Sequence, residues 1–187
     1  MAARDIWPIR SAGGGPGGTV KVETYHLYTD QTFHEGEIVA LGAATGQLVL
    51  AAHDPDVSDH TDAAGAVGIA AEPAEGMAAD AAGVTNPAYA NRGVWIFTSE
   101  QEWITPNYST DDGQAWSAVA PLHANIGDPV GLSIIATVHG ISSGTGFTQF
   151  RVTDILDANM NPIRDQATVG TYTVFRLNTA YAPGLPA

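Results

Sequence analysis

Apolar and polar residues alternate along this chain in short runs, and Gly, Pro, Asn and Asp separate the runs every ~8 to 15 positions. TVKVETYHLY (19–28) alternates with Val20, Val22, Tyr25 and Leu27 as its larger apolar members, which predicts a strand. Its phase slips at Thr24, where a bulge or break is expected. EIVAL (37–41) and QLVLAA (47–52) flank GAATG, which predicts a hairpin with Gly42 and Gly46 at positive φ. AVGIAAE (66–72) reads as a short small-residue strand and GVWIFTSEQEW (93–103) as an aromatic, β-branched one, with SEQEW as a short helical turn. NIGDPVGLSIIATVHGI (125–141) reads as a strand pair. GFTQFRVTDILDA (146–158) and VGTYTVFRLNTAY (169–181) read as single strands joined by the turn NMNPIRDQA. About eight to ten short strands and no amphipathic helix of length predict an all-β fold, a small barrel or sandwich. One short pattern recurs: HEGEIVAL and NIGDPVGL share Gly, an acid, one residue and Val, which marks two similar strand starts around Gly36 and Gly127.

Composition supports a folded β chain. It is 44% hydrophobic and 14% charged, and its 21 Gly and 11 Pro suit turns better than a helical bundle. With 187 residues it is long enough for one cored domain, taken as 22–187 with an insertion-like loop region at 77–121. The formal net charge of −13 opposes binding to nucleic acid phosphates and to anionic lipid, so neither is an expected partner. No Lys or Arg occurs between Val22 and Asn91. With no cysteine, disulfides, thiolate catalysis and Cys-ligated zinc are excluded. Residues 1–21 lack the apolar run of a signal peptide, and no stretch approaches the ~18 to 20 apolar residues of a membrane span. Synthesis in a cytoplasm is the expectation.

The first 21 residues read as an extended arm. DIWPIR carries Ile6, Trp7 and Ile9 between Arg4 and Arg10, and SAGGGPGG follows as a hinge poor in side chains. Pro8 restricts Trp7 to extended geometry. Such an arm can add to a partner's sheet edge or fill a groove, with Arg4, Ile6, Trp7, Ile9 and Arg10 as its contacts.

Candidate chemistry is sparse. The acidic loop with His53, Asp54, Asp56, Asp59, His60 and Asp62 offers oxygens for calcium, but counting from Asp54 it lacks the Gly and Glu of an EF-hand loop; it reads as a solvated turn, with no metal assigned. The six histidines form no HExxH. There is no GxSxG or SxxK, and GISSGTG (140–146) lacks the Lys and helix of a phosphate loop, so it reads as a hairpin tip. Glu35 and Glu37 suit a solvated strand edge as well as acid–base work. Trp103 and Trp116 flank a long loop and are candidates for a subunit interface or, on a second reading, for sugar stacking in a carbohydrate-binding module. No catalytic residue, cofactor or enzyme activity is assigned.

One stretch resembles a known family. FHEGEIVALGAATGQLVLAAH…GAVGIAAEPAEG (33–76) is similar to the small decoration, or cement, proteins of tailed-bacteriophage capsids, through Phe33, Gly36, Glu37 and Val39, then Gly65, Gly68, Ile69 and Ala70. NRGVWIFT resembles the family's following strand and IGDPVGL its later Gly-acid strand. The clear similarity covers about a quarter of the chain, and 77–121 and 147–181 depart from the compact pattern. The resemblance implies a non-enzymatic virion protein on the outer surface of an assembled shell. Its partners would be the major capsid protein and copies of itself in a homotrimer.

Overall fold

The structure, a computed structural model, describes residues 6–11, 20–28, 31–42, 46–51, 66–74, 91–98, 100–110, 121–135, 138–143 and 149–178. Among them are twelve strands: β1 (Trp7–Ser11), β2 (Val22–His26), β3 (Ile38–Leu41), β4 (Leu48–Leu50), β5 (Ala66–Ala70), β6 (Asn91–Ile96), β7 (Gln101–Thr105), β8 (Tyr108–Ser109), β9 (Pro129–Ile135), β10 (Val138–Ser142), β11 (Phe150–Leu156) and β12 (Tyr172–Leu177). A 3₁₀ turn at His123–Asn125 precedes β9. The fold is all-β, as the alternation predicts. The strands make a five-stranded sheet of order β2-β6-β5-β3-β4 and a seven-stranded sheet of order β1-β7-β12-β11-β9-β10-β8.

Several local expectations change. No bulge interrupts β2, which pairs with β6 continuously from Val22↔Trp95 to His26↔Asn91. Glu23 and Tyr25 are the half-buried positions of β2 and Leu27 beyond it is buried, while Val22 is 52% exposed. The phase slips because Val22 lies on the same side as Trp95 but on the edge strand, where the second sheet leaves it exposed, while Glu23, Tyr25 and Leu27 line the other side. SEQEW is not a helical turn: Gln101–Thr105 is β7, and the Gln101 N–H donates to the Thr98 carbonyl (3.2 Å) to close the reversal from β6. Pairing with β1 and β12 on either side overrides the local preference. Nor is 77–121 an insertion throughout, because β6 and β7 lie inside the two sheets. The predicted β3–β4 hairpin is present, with Gly46 at φ 65°; Gly42 instead closes the turn, its N–H donating to Gln47 (2.9 Å).

The recurring Gly-acid-x-Val element builds the same turn twice. Gly36 has φ 98° and Gly127 has φ 99°. The Gly36 N–H donates to Ala70 O (3.0 Å) and the Ala70 N–H returns to Glu37 O (2.8 Å). The Gly127 N–H donates to Val152 O (2.9 Å) and the Val152 N–H returns to Asp128 O (3.0 Å). The equivalence runs through both sheets. β2-β6-β5-β3-β4 and β7-β12-β11-β9-β10 share order and antiparallel sense. Registers match as well: Val39↔Gly68 corresponds to Val130↔Phe150, and Ile38↔Ile69 to Pro129↔Arg151. In each sheet the first strand runs on to meet the third in parallel, by the Leu27↔Leu48 bridge and by Tyr108↔Ile141. The fold is therefore two copies of one five-stranded unit, with β1 added to the edge of the second.

The sheets share one core. Ile38 and Ile69 of the first cluster with Trp103, Val130, Phe150 and Phe175 of the second, all at most 3% exposed. Edge-on aromatic contacts run through it from Trp103 to Phe97 (5.1 Å), Phe97 to Phe150 (5.0 Å) and Phe150 to Phe175 (5.5 Å). A second cluster on the far side of the first sheet holds Val39, Leu48 and Val94, with Phe33 and Ala74 pairing backbone to backbone. A third, on the far side of the second sheet, holds Ile104, Leu156 and Val174.

The two glycine turns are testable. A Cβ on Gly127 would meet nothing within 4 Å, so only the positive φ penalises a side chain there. Gly127→Ala should lower unfolding free energy by about 1–2 kcal/mol, read as a shifted urea midpoint with unchanged slope.

Candidate functional site

The N-terminal contacts expected of an arm lie within the body. β1 pairs antiparallel with β7, Trp7 opposite Ile104 and Pro8 opposite Trp103, with an irregularity between Pro8 and Arg10. Pro at this edge leaves no ladder N–H unsatisfied. Ile6 is 0% exposed in the shared core, and its N–H donates to the Gly36 carbonyl (3.1 Å), tying the segment to the turn that opens β3. Trp7 and Ile9 are half-buried on the opposite side of the sheet, against Ile104, Leu156 and Val174. The Trp7 ring meets Tyr172 edge-on at 5.9 Å. The extra residue at the irregularity lets Ile9 join Trp7 there.

This corrects the arm for residues 6–11. Ile6 has no surface to offer a partner, and Trp7 and Ile9 cover the protein's own sheet, because an apolar triplet beside a free strand edge gains more by adding to it than by staying in water. Arg4 lies outside the described residues. The backbone of Arg10 is in β1, opposite Glu102, and its side chain lies outside the description.

Trp103 is likewise not at an interface. It is 0% exposed, the largest of the fully buried side chains, and presents no ring face for a subunit or a sugar. Its strand alternates, placing Trp103 inward between half-buried Glu102 and outward Ile104. Trp116 and the acidic loop from His53 to Asp62 lie outside the described residues. The structure thus brings Ile6 and Trp103 into one core and leaves Trp7 and Ile9 on the reverse side of the same sheet.

Of the candidate acid–base pair, Glu37 is occupied in a turn, as are several other acids. The Glu37 carboxylate accepts the His34 N–H (2.8 Å), and Asp128 accepts from Asn125 Nδ2 (3.0 Å) in the equivalent turn. Asp157 accepts the Asn159 and Asn161 N–H groups (2.8 Å each), and these bonds hold its carboxyl below the usual range; Asn161 makes the largest contribution. Asp165 is held low in the same way, first by the Ala167 N–H and then by Thr168. Among the described residues no group of three or more His, Cys, Asp and Glu could hold a metal ion.

One residue with no role assigned from the sequence, beyond being one of six histidines outside any HExxH motif, joins the two units. His139 of β10 is 1% exposed, and its Nδ1 accepts the Ile38 N–H (3.0 Å) where the ladder beyond β4 opens. An accepting Nδ1 carries no proton, so the ring is neutral. Burial pushes its pKa down to about 4. The available signal was its position: His139 alternates with Ile141 on the inward side of VHGIS, where a polar side chain needs a partner.

Comparison of the chain with protein-family models, curated proteins and solved structures finds no match.

Two outcomes follow from this geometry. Ile6→Ala should cost about 2–5 kcal/mol in chemical denaturation; an Ile on a free arm would cost nothing. Because the folded pKa of His139 lies below the ordinary 6.5, stability should be complete above pH 6.5 and fall as the pH drops toward about 4. That loss amounts to about 3 kcal/mol over the window. His139→Asn, which keeps an acceptor near Nδ1, should flatten this part of the stability–pH curve measured by thermal melts.

Proposed function

We propose that the chain is a non-enzymatic structural protein of a virion, which binds the outer surface of an assembled phage shell and holds neighbouring capsomers together. The observation that carries this reading is the use of the decoration-like residues. Phe33, Gly36, Glu37 and Val39 are not a reactive set: Phe33 pairs with Ala74, Gly36 and Glu37 close a turn onto Ala70, and Val39 is buried. They build a scaffold, and the chain builds it twice. Glu37, one of the two carboxylates considered for acid–base chemistry, accepts the His34 N–H in a turn of that scaffold. A protein whose recognisable residues are all spent on rigid sheets is suited to presenting surfaces to a larger assembly. The sugar-stacking alternative loses one of its two tryptophans, because Trp103 is buried.

Deleting residues 1–18 would remove Ile6 and β1 from the fold and so would not test shell binding alone. The informative experiment keeps the chain whole. Purified protein should cosediment with expanded shells of the cognate major capsid protein at a fixed number of copies per capsomer, and should raise the temperature at which those shells come apart. Absence of cosedimentation at micromolar protein would defeat the proposal.

A further inference from the structure

The two units pack head to tail. The side of the first sheet that enters the shared core carries the cross-strand row Val22–Trp95–Ile69–Ile38. Ile69 and Ile38 are 0% exposed there, and Trp95 packs half-buried beside them. The equivalent row on the second sheet is Glu102–Arg176–Arg151–Pro129, and it continues at its β1 end to Arg10. The same side of the same unit, used once as a docking face inside the chain, is turned outward the second time.

Its chemistry is unusual for this protein. Arg151 and Arg176 stand directly opposite each other and are both exposed, although the chain has only seven Lys and Arg against twenty Asp and Glu. Like charges directly opposite on a sheet repel. Neither arginine takes part in the ion pairs Lys21–Glu23 and Arg164–Asp154. Glu102 is the acid in the row, and Asp154, level with Val174 on the same sheet, is already held by Arg164 (3.2 Å). A paired cation site kept on a docking face, in a chain that otherwise avoids cations, calls for an anionic occupant.

We propose that this face of the second sheet, along Arg176 and Arg151, docks a carboxylate-rich protein surface, and that on the shell this surface belongs to the capsid protein. The identity of the partner rests on the shell-binding reading; the preference for protein carboxylates does not. A polyanion such as DNA, or an anionic membrane, would meet the repulsion of a chain with net charge −13, whereas a local acidic patch meets only the arginine pair. Guanidinium groups match carboxylates in paired geometry.

The test uses the full chain and two charge variants. R151E/R176E should weaken shell cosedimentation at least about tenfold at 0.15 M NaCl, while R151K/R176K stays within about threefold, and wild-type binding should weaken with added salt. Both variants should melt like the wild type. Shell binding by R151E/R176E equal to wild type would overturn the proposal. In that case self-association of R151I/R176W, which restores the residues of the first row, would identify the arginines as a cap against further stacking. If the wild type does not bind shells at all, the shell reading fails, and octaglutamate peptide decides the face separately. At low salt it should shift the Arg151 and Arg176 Nε–Hε resonances selectively. No shift, or a larger one with duplex DNA or phosphatidylserine vesicles, would overturn the carboxylate partner.

Discussion

Everything in this fold hangs on one buried layer between two sheets. Ile38 and Ile69 on one side, and Trp103, Phe150 and Phe175 on the other, remove from water the faces that neither sheet could leave exposed. The layer has a polar member, His139, whose neutral ring takes the Ile38 N–H where the β3–β4 ladder ends. A buried amide without that acceptor would carry the full cost of desolvation. The same layer accounts for Ile6, which arrives from the N-terminal segment and is tied by its own N–H to the Gly36 turn.

The duplicated unit explains how one topology serves two environments. One side of the unit stays apolar in both copies: Val39 and Val130, Leu48 and Ile141, Val94 and Phe175. The row on the opposite side diverges, because in the first copy it is covered by the second copy and in the second copy it meets solvent. Trp95 and Ile69 give way to Arg176 and Arg151. The glycine turns do not diverge, since both need a positive φ to send the chain from the turn into β3 and β9.

Much of this was legible before the tertiary contacts were known. The strand runs around 38–50, 66–70, 129–142, 150–156 and 172–177, the hairpin at Gly46 and the two Gly-acid-x-Val starts all follow from period-two patterning and turn chemistry, which are local. Faces were less legible. Val22 alternates like a core residue yet lies at the surface, and Trp103 borders a loop yet lies at the centre. Alternation gives two sides to a strand without saying which side another sheet will cover.

The N-terminal segment marks the division most sharply. Composition alone identified an apolar DIWPIR next to a glycine-rich stretch, and with it a segment that must find a sheet edge or groove. Whose edge it finds is a matter of geometry. β7 offers its own free edge, the Gly36 carbonyl lies where the Ile6 N–H can reach it, and Tyr172 stands where Trp7 can lean. Local pattern therefore determined the strands, the turns and the acidic, cation-poor surface. Long-range packing decided that the apolar end serves the protein's own core, and that the scarce arginines of the second unit face outward, because burial depends on which elements meet and not on their order in the chain.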